Sequence, residues 1–150
     1  MHQHTTWILT ADASRARIFE SRKNEKCLHE VEQFINPKAQ QRDRDINTAP
    51  YGRYHNHAGG PQANTAEPHV DAVKQETELF ARDLSDYLEK ARNEHRFDSL
   101  RVIAAPKVLG MMRQNLSKEA MKLVEEEIPK DISWFDKREI EQYLADHKPH

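Results

Sequence analysis

The fold is decided by residues 98–106, which read DSLRVIAAP. A nearly continuous apolar run from Leu100 to Ala105 stands between a turn signal at residues 98–99 and Pro106. Such a run is typical of a strand that is covered on both faces of a sheet. The pattern therefore predicts a central strand. A helix is expected to begin at Pro106, because proline suits the first helical position.

The sequence before this strand predicts a β-hairpin, a third strand and a long helix. Residues 7–12 and 16–20 are rich in strand formers and are joined by a turn-forming Asp-Ala-Ser sequence. Residues 28–34 are expected to form the third strand. The strongest helical pattern runs from about residue 70 to residue 93, where apolar side chains recur every three or four positions.

The sequence after the central strand predicts further helices and one more strand. Ser117 is expected to cap a helix that reaches Ile128, and residues 131–134 predict a short strand. Asp136 and Glu139 have the capping-box pattern that begins a last helix. Together these elements predict an α/β fold, a single-domain mixed β-sheet sandwiched by helices.

The composition fits one domain over residues 1–150. The chain holds 23 Lys and Arg against 25 Asp and Glu, and its formal net charge of -2 excludes a globally cationic nucleic-acid or membrane binder. The single cysteine, Cys27, has no partner for an internal disulfide, as expected in a reducing compartment. The N-terminus lacks a signal-like pattern, and no apolar run reaches about 18 residues. We therefore expect a cytoplasmic protein that has no membrane or DNA partner.

Regular patterns are absent from about residue 37 to residue 68. Three of the four glycines of the chain, Gly52, Gly59 and Gly60, lie in this stretch, together with charged and turn-forming residues. A structureless segment of about 30 residues inside a compact domain is a functional or a disordered loop. We predict a long mobile loop here and expect it to carry the function.

Residues 97–113, which read FDSLRVIAAPKVLGMMR, resemble the host-attachment family of bacterial proteins. They are similar to the family's strand, its Ala-Pro junction and its Leu-Gly-x-x-Arg sequence. Supporting matches are residues 7–12 and 14–19, Gly52-Arg53, Phe80-Ala81-Arg82 and Lys130-Asp131-Ile132. The resemblance extends from residue 6 to about residue 144. It implies little about a reaction, because the family is named for a phenotype, attachment to host cells.

The host-attachment family is similar in fold to the middle domain of archaeal and eukaryotic class I release factors. That domain has a ribonuclease-H-like mixed sheet, and the resemblance implies the same sheet here. Release-factor middle domains carry Gly-Gly-Gln between the third strand and the long helix, where this chain holds Gly59-Gly60-Pro61-Gln62. Pro61 fixes φ and displaces Gln62, so the geometry that would place an attacking water is not preserved. We therefore predict no catalytic residues, and the absence of enzymatic activity is favoured.

The predicted loop supplies groups that suit an RNA partner. Arginine side chains bind phosphates and tyrosine rings stack on bases. The alternative is a solvated face with local ion pairs, because Asp43 and Asp45 lie between the arginines. The candidate partner-binding residues are Arg42, Arg44, Tyr51, Arg53, Tyr54, Gly59, Gly60, Gln62 and Arg113.

Two residues after the central strand have predicted roles. Arg113 is expected to form an ion pair with the long helix, with anion binding as the alternative. Gly110 is expected to permit close packing of its helix against the sheet. Among the histidines, His55, His57 and His69 offer imidazoles to a metal, but solvated loop histidines are favoured. We predict no metal and no cofactor.

The sequence thus favours a non-catalytic binding module whose long loop associates with the ribosome or with tRNA. One alternative is a hydrolase that acts on a tRNA ester or a phosphodiester. A second alternative is a host-cell attachment or adhesion factor, which the missing export signal disfavours.

Overall fold

The computed structural model describes residues 4–22, 27–41 and 62–147, and for residues 62–70 it describes the backbone alone. Five strands form one sheet: β1 is Thr5–Ala11, β2 is Arg15–Arg22, β3 is His29–Ile35, β4 is Ser99–Ala104 and β5 is Val124–Pro129. Their order across the sheet is β3-β2-β1-β4-β5. Strand β2 is antiparallel to both of its neighbours, whereas β1, β4 and β5 are parallel. The predicted mixed sheet is confirmed.

Helices cover both faces of this sheet. They are α1 at Gln62–Asn93, α2 at Pro106–Asn115, α3 at Lys118–Lys122 and α4 at Lys137–Asp146. Helices α1 and α2 pack on one face, and α4 packs on the other. The predicted α/β sandwich is therefore confirmed. Within the described ranges no helix is long and apolar enough to cross a membrane.

Strand β4 is central, as predicted, and its side chains divide between two cores. Leu100 and Val102 pack with residues of α1 and α2. Ile103, on the opposite face, packs with Ile132 and with Ile140 of α4. All five side chains are buried. The apolar run recognised in the sequence is thus the strand that joins the two layers of the core.

The amino edge of the sheet, where β1 and β4 begin, is closed by aromatic side chains. Trp7 lies 5.0 Å from Phe97 between ring centroids and stacks on Tyr87 of α1 at 6.3 Å. The Arg96 guanidinium lies 5.0 Å from the centroid of the Trp7 ring. The Thr5 amide donates to Asp98 Oδ2, and the Asp98 amide donates to the Thr5 carbonyl. These contacts fix the end of α1 against the start of the sheet.

Helix α1 begins at Gln62, whereas the sequence predicted a start at about residue 70. Tyr87 stacks on Trp7 at the amino edge, and Val73 lies beside Ala105 after the end of β4. The turns before Val73 therefore extend past the end of β4. Residues 62–69 are helical although their sequence lacks an apolar pattern.

The predicted loop over residues 37–68 is shorter at both ends. Residues 37–41 are helical, and residues 62–68 belong to α1. The remaining part of the prediction, residues 42–61, lies outside the described residues.

Strand β5 occupies a stretch where a helix was predicted. Ser117 does cap a helix, because its Oγ accepts from the Ala120 amide at 3.0 Å, but that helix ends at Lys122. Val124–Pro129 instead pairs in parallel with β4. The spacing of Val124 and Ile128 suits a helix, but β4 needs a partner for its free backbone groups, and this requirement outweighs the local pattern.

The structure between β5 and α4 differs from the predicted strand. Residues 131–134 form a turn and make no ladder. The predicted capping box of α4 is confirmed: the Glu139 amide donates to Asp136 Oδ1 at 2.7 Å and the Asp136 amide donates to Glu139 Oε1 at 3.0 Å.

The predicted packing role of Gly110 is wrong. This residue is exposed on α2, and a Cβ added to it would meet no atom within 4 Å. The buried side chains of α2 are Val108, Leu109 and Met112, which lie on the opposite face of the helix. The helix therefore contacts the core without any need for a glycine.

Candidate functional site

Four strands end at one edge of the sheet, which we call the carboxyl edge. Strands β1, β4 and β5 are parallel, and β3 shares their direction because β2 is antiparallel to both β1 and β3. From β1 the chain turns towards β2, and from β4 it continues towards β5 on the other side. Ligands of open α/β sheets bind in the crevice at such a divergence. The carboxyl ends of β1 and β4 are therefore the first place to look for a site.

The turn after β1 is held by one carboxylate, that of Asp12. Its Oδ1 accepts from the Ser14 amide at 2.7 Å, from Ser14 Oγ at 2.9 Å and from the Arg15 amide at 2.9 Å. Its Oδ2 accepts from Ser133 Oγ at 2.5 Å. Asp12 thus ties the β1–β2 turn to the turn that follows β5.

These hydrogen bonds set the protonation of Asp12. Burial opposes the charged form, but the donors Ser133, Ser14 and Arg15 outweigh it and lower the pKa of Asp12 below its ordinary value of 3.8. Ser133 Oγ also lies 2.8 Å from Asp131 Oδ1 and is completely buried. A hydroxyl that is not accessible to solvent is also not accessible to a substrate. The buried Ser133 hydroxyl therefore joins the carboxylates of Asp12 and Asp131 and holds the two turns together.

A crevice of about 610 Å³ opens between the ends of β1 and β4. Its wall consists almost entirely of carbon atoms from the β1–β2 turn, α1, the β4–α2 junction and α2. The apolar residues of this wall are Ala13, Val73, Ala105, Pro106, Val108 and Met111. Thr77 also lines it, but the Thr77 hydroxyl donates to the Val73 carbonyl at 2.9 Å. The crevice has the size of a small-molecule site.

Two lysines, Lys74 of α1 and Lys107 of α2, supply the charge of this crevice. Both residues are exposed. Neither ammonium has an ion-pair partner among the side chains that the structure describes. No acidic residue of the described chain lines the crevice. Among the described residues, the site therefore combines an apolar interior with two lysines and no acidic lining residue.

Most of the residues predicted to bind a partner lie outside the described part of the chain. They are Arg42, Arg44, Tyr51, Arg53, Tyr54, Gly59 and Gly60. Gln62 is the first residue of α1, and its side chain is not described. Their roles stay predictions.

The chain leads to the carboxyl edge on both sides of residues 42–61. On one side, the Asn36 amide donates to the Ser14 carbonyl at 2.8 Å, and Asn36 Nδ2 donates to the Ala13 carbonyl at 3.1 Å. On the other side, the 11 residues of α1 before Val73 extend past this edge by about 16 Å at 1.5 Å per residue. The described chain before residue 42 is thus held at the carboxyl edge at Asn36, and the described chain after residue 61 reaches that edge at Val73.

Arg113 forms an ion pair, but its partner differs from the one predicted. Its Nε lies 2.6 Å from Glu127 Oε1 of β5, and the long helix α1 is not involved. The hydrogen bond to Glu127 raises the pKa of Arg113 above its ordinary value. The sequence predicted a helix where β5 lies, so it gave no indication of this partner. Because Glu127 compensates this charge, partner binding by Arg113 stays a prediction.

The histidines proposed as metal ligands are not tested. His55 and His57 lie outside the described residues, and only the backbone of His69 is described. Across residues 4–22, 27–41 and 62–147 no group of three or more His, Cys, Asp or Glu side chains could hold a metal ion.

A comparison with protein families matches residues 7–144 to a family described as "Protein required for attachment to host cells". The chain belongs to this host-attachment family. The resemblance seen in residues 97–113 is confirmed, and the match includes Asp12 and the whole crevice. The further likeness to release-factor middle domains stays a prediction.

Two similar proteins extend this comparison. An uncharacterized protein of Rickettsia prowazekii, RP470, is 38% identical over 68 residues, which are 44% of the host-attachment chain and 45% of RP470. A solved structure of an exopolyphosphatase-like protein covers 85% of this chain and 33% of its own at 16% identity, with a TM-score of 0.37. Each match thus spans less than half the length of the similar protein. The TM-score of the second match is too low to support an argument about fold or function.

Sequence reasoning missed the crevice of this host-attachment protein. Its walls come from residues far apart in the chain, such as Ala13, Val73 and Ala105, and no local pattern links them. One signal was available: Ala105, Pro106 and Lys107 follow the central strand directly. The end of a buried parallel strand is a common place for a binding site.

Proposed function

We propose that this host-attachment protein is a non-catalytic binding module whose partner contacts residues 42–61 and the carboxyl edge of the sheet. The observation that carries the proposal is that the chain leads to the same edge on both sides of this segment: Asn36 is bonded to the β1–β2 turn, and α1 reaches that edge at Val73. We infer that a partner of residues 42–61 also contacts the carboxyl edge. Such a module also fits the attachment role in the family description.

The described residues of the carboxyl edge support binding rather than catalysis. Asp12 and Ser133 bind each other, and Ser133 is buried. Gln62, the residue that the release-factor resemblance associates with hydrolysis, is the first residue of α1. A helical position restricts the backbone freedom that flexible glycines give to a catalytic glutamine in a loop.

We propose RNA, as the ribosome or tRNA, for the partner of residues 42–61. The support is the release-factor resemblance and the composition of this segment. Arg42, Arg44 and Arg53 suit phosphates, and Tyr51 and Tyr54 suit unpaired bases.

The test measures binding of labelled tRNA and of purified ribosomes at several salt concentrations. We expect saturable binding by the wild type and a loss of at least about tenfold in affinity for the triple variant Arg42→Ala, Arg44→Ala, Arg53→Ala. The loss should be larger at low salt, because phosphate contacts release counterions on binding.

A matched control removes three exposed cations elsewhere, in the variant Lys118→Ala, Lys122→Ala, Arg138→Ala. Equal losses in the two variants would show that net charge alone attracts RNA. Turnover of peptidyl-tRNA by the wild type that disappears in Gln62→Ala would establish the hydrolase alternative instead.

A further inference from the structure

We propose that the crevice between β1 and β4 binds a soluble anionic amphiphile, a hydrocarbon chain that ends in a carboxylate, as in a medium-chain fatty acid. The proposal rests on the described lining residues alone, and it does not depend on RNA binding by residues 42–61.

The wall of the crevice selects a hydrocarbon. Val73, Val108 and Met111 line it with carbon atoms, and the hydroxyl of Thr77 is already satisfied by the Val73 carbonyl. A sugar or a nucleotide would lose its hydrogen bonds to water there and gain none from this wall, which is costly. A hydrocarbon chain loses no hydrogen bonds on entering the same space. At about 610 Å³ the crevice admits a ligand of drug-like size.

The charge of the crevice selects an anion. Lys74 and Lys107, like the other lysines of the described chain, form no ion pair among its side chains. What distinguishes these two lysines is their position, because they belong to two different helices that border the same apolar space, and no acidic residue of the described chain lines it. A ligand with one negative end and an apolar body would satisfy both features of the site.

The two lysines also distinguish a carboxylate from a neutral or cationic head group. Each exposed ammonium contributes modestly, because water screens exposed charges. Two of them acting on one carboxylate are expected to change the affinity by about tenfold. The apolar wall supplies the rest of the affinity and does not depend on the charge of the head group.

The experiment follows amide shifts of the 15N-labelled full chain during titration with sodium decanoate, decanol and decyltrimethylammonium. We expect saturable shifts with decanoate that centre on Ala13, Val73, Ala105 and Val108. Affinity should fall by about tenfold in Lys74→Gln, Lys107→Gln, while decanol binding by this variant stays unchanged. The control Lys90→Gln, Lys118→Gln removes the same charge from exposed positions outside the crevice and should bind decanoate like the wild type.

A second variant, Val73→Trp, places a large ring at the half-buried rim of the crevice and should abolish binding of both decanoate and decanol. An unchanged spectrum away from the crevice shows that each variant is folded. The proposal is overturned by any of three results. These are the absence of saturable decanoate binding, equal affinity for decyltrimethylammonium, and binding to vesicles of anionic phospholipid without any response to decanoate.

Discussion

The amino edge of the sheet is filled by side chains, whereas the carboxyl edge leaves a crevice. At the amino edge, Trp7 lies between Phe97, Tyr87 and Arg96, and α1 ends against it. At the carboxyl edge, α1 continues past the end of β4, and Val73 and Ala105 line the crevice. Within the described residues, the same helix thus packs tightly at one edge and borders a crevice at the other.

This difference predicts that stability depends more on packing at the amino edge than on packing at the carboxyl edge. Aromatic packing at the amino edge holds α1 in place, so the carboxyl edge does not need to be filled for the fold to form. Substitutions at the two edges should therefore have different consequences, and the following predictions test this difference.

The largest effect is expected at the amino edge. Trp7→Ala removes a side chain that is 1% exposed, and the loss of a buried aromatic side chain costs about 3–5 kcal/mol of unfolding free energy. The matched control is Trp134→Ala, which removes a tryptophan that is 65% exposed in the turn after β5 and should cost less than about 1 kcal/mol. Denaturant unfolding measures both, and similar losses would show that the two edges do not differ as described.

A smaller effect is expected from Asp12, which fixes the turn beside the crevice. Asp12→Asn places an amide donor where the carboxylate accepts from Ser133 or from the Ser14 and Arg15 amides. We expect a loss of about 1–3 kcal/mol at pH 7, the cost of leaving buried donors unsatisfied. The control Asp146→Asn changes an exposed carboxylate on α4 and should leave the melting temperature nearly unchanged.

The same variant should change the pH dependence of stability. The pKa of Asp12 is lower in the folded chain than its ordinary value of 3.8, so the ionised form stabilises the fold above that pH. This contribution is lost as the pH falls below 3.8 and through the folded-state pKa. The gap in melting temperature between wild type and Asp12→Asn should therefore shrink on acidification. A gap that is constant from pH 7 to pH 3 would contradict this assignment.

The smallest effect concerns Gly110, on the outer side of α2 near the carboxyl edge. Because nothing lies within 4 Å of an added Cβ, Gly110→Ala should increase the unfolding free energy by about 0.5–1 kcal/mol, the difference in helix propensity. Gln114→Ala, at an exposed position of the same helix, is the control and should change stability by less than about 0.5 kcal/mol. A destabilised Gly110→Ala would mean that α2 needs the glycine for a reason outside its propensity.

The sequence predicts an element correctly where the local pattern and the tertiary environment favour the same structure. The apolar run at Leu100 to Ala105 forms a strand with buried side chains on both faces, as its nearly continuous apolar composition predicts. Asp136 caps α4 through contacts within one helical turn, so the capping-box motif can be recognised without knowledge of the tertiary structure. The β1–β2 hairpin is likewise a local structure.

Sequence reasoning failed where distant residues decide the outcome. Residues 124–129 form a strand because the edge of β4 is available to them, and the pattern of these six residues alone suited a helix. The partner of Arg113 and the exposure of Gly110 were mistaken for related reasons, since both depend on what lies across from α2. The crevice was missed because it exists only between elements.

The parallel pairing of β1 with β4 has a consequence for how the chain folds. Thr6 pairs with Ser99, and the two are separated by 93 positions in the chain. Loop closure over such a distance must precede the pairing and makes folding slow. The closing cost grows only with the logarithm of loop length, so removing ten of the residues 42–61 would change it by only about 0.1 kcal/mol. The entropy cost of pairing β1 with β4 is therefore almost independent of the length of that segment, as long as the remaining residues still connect Gln41 to Gln62.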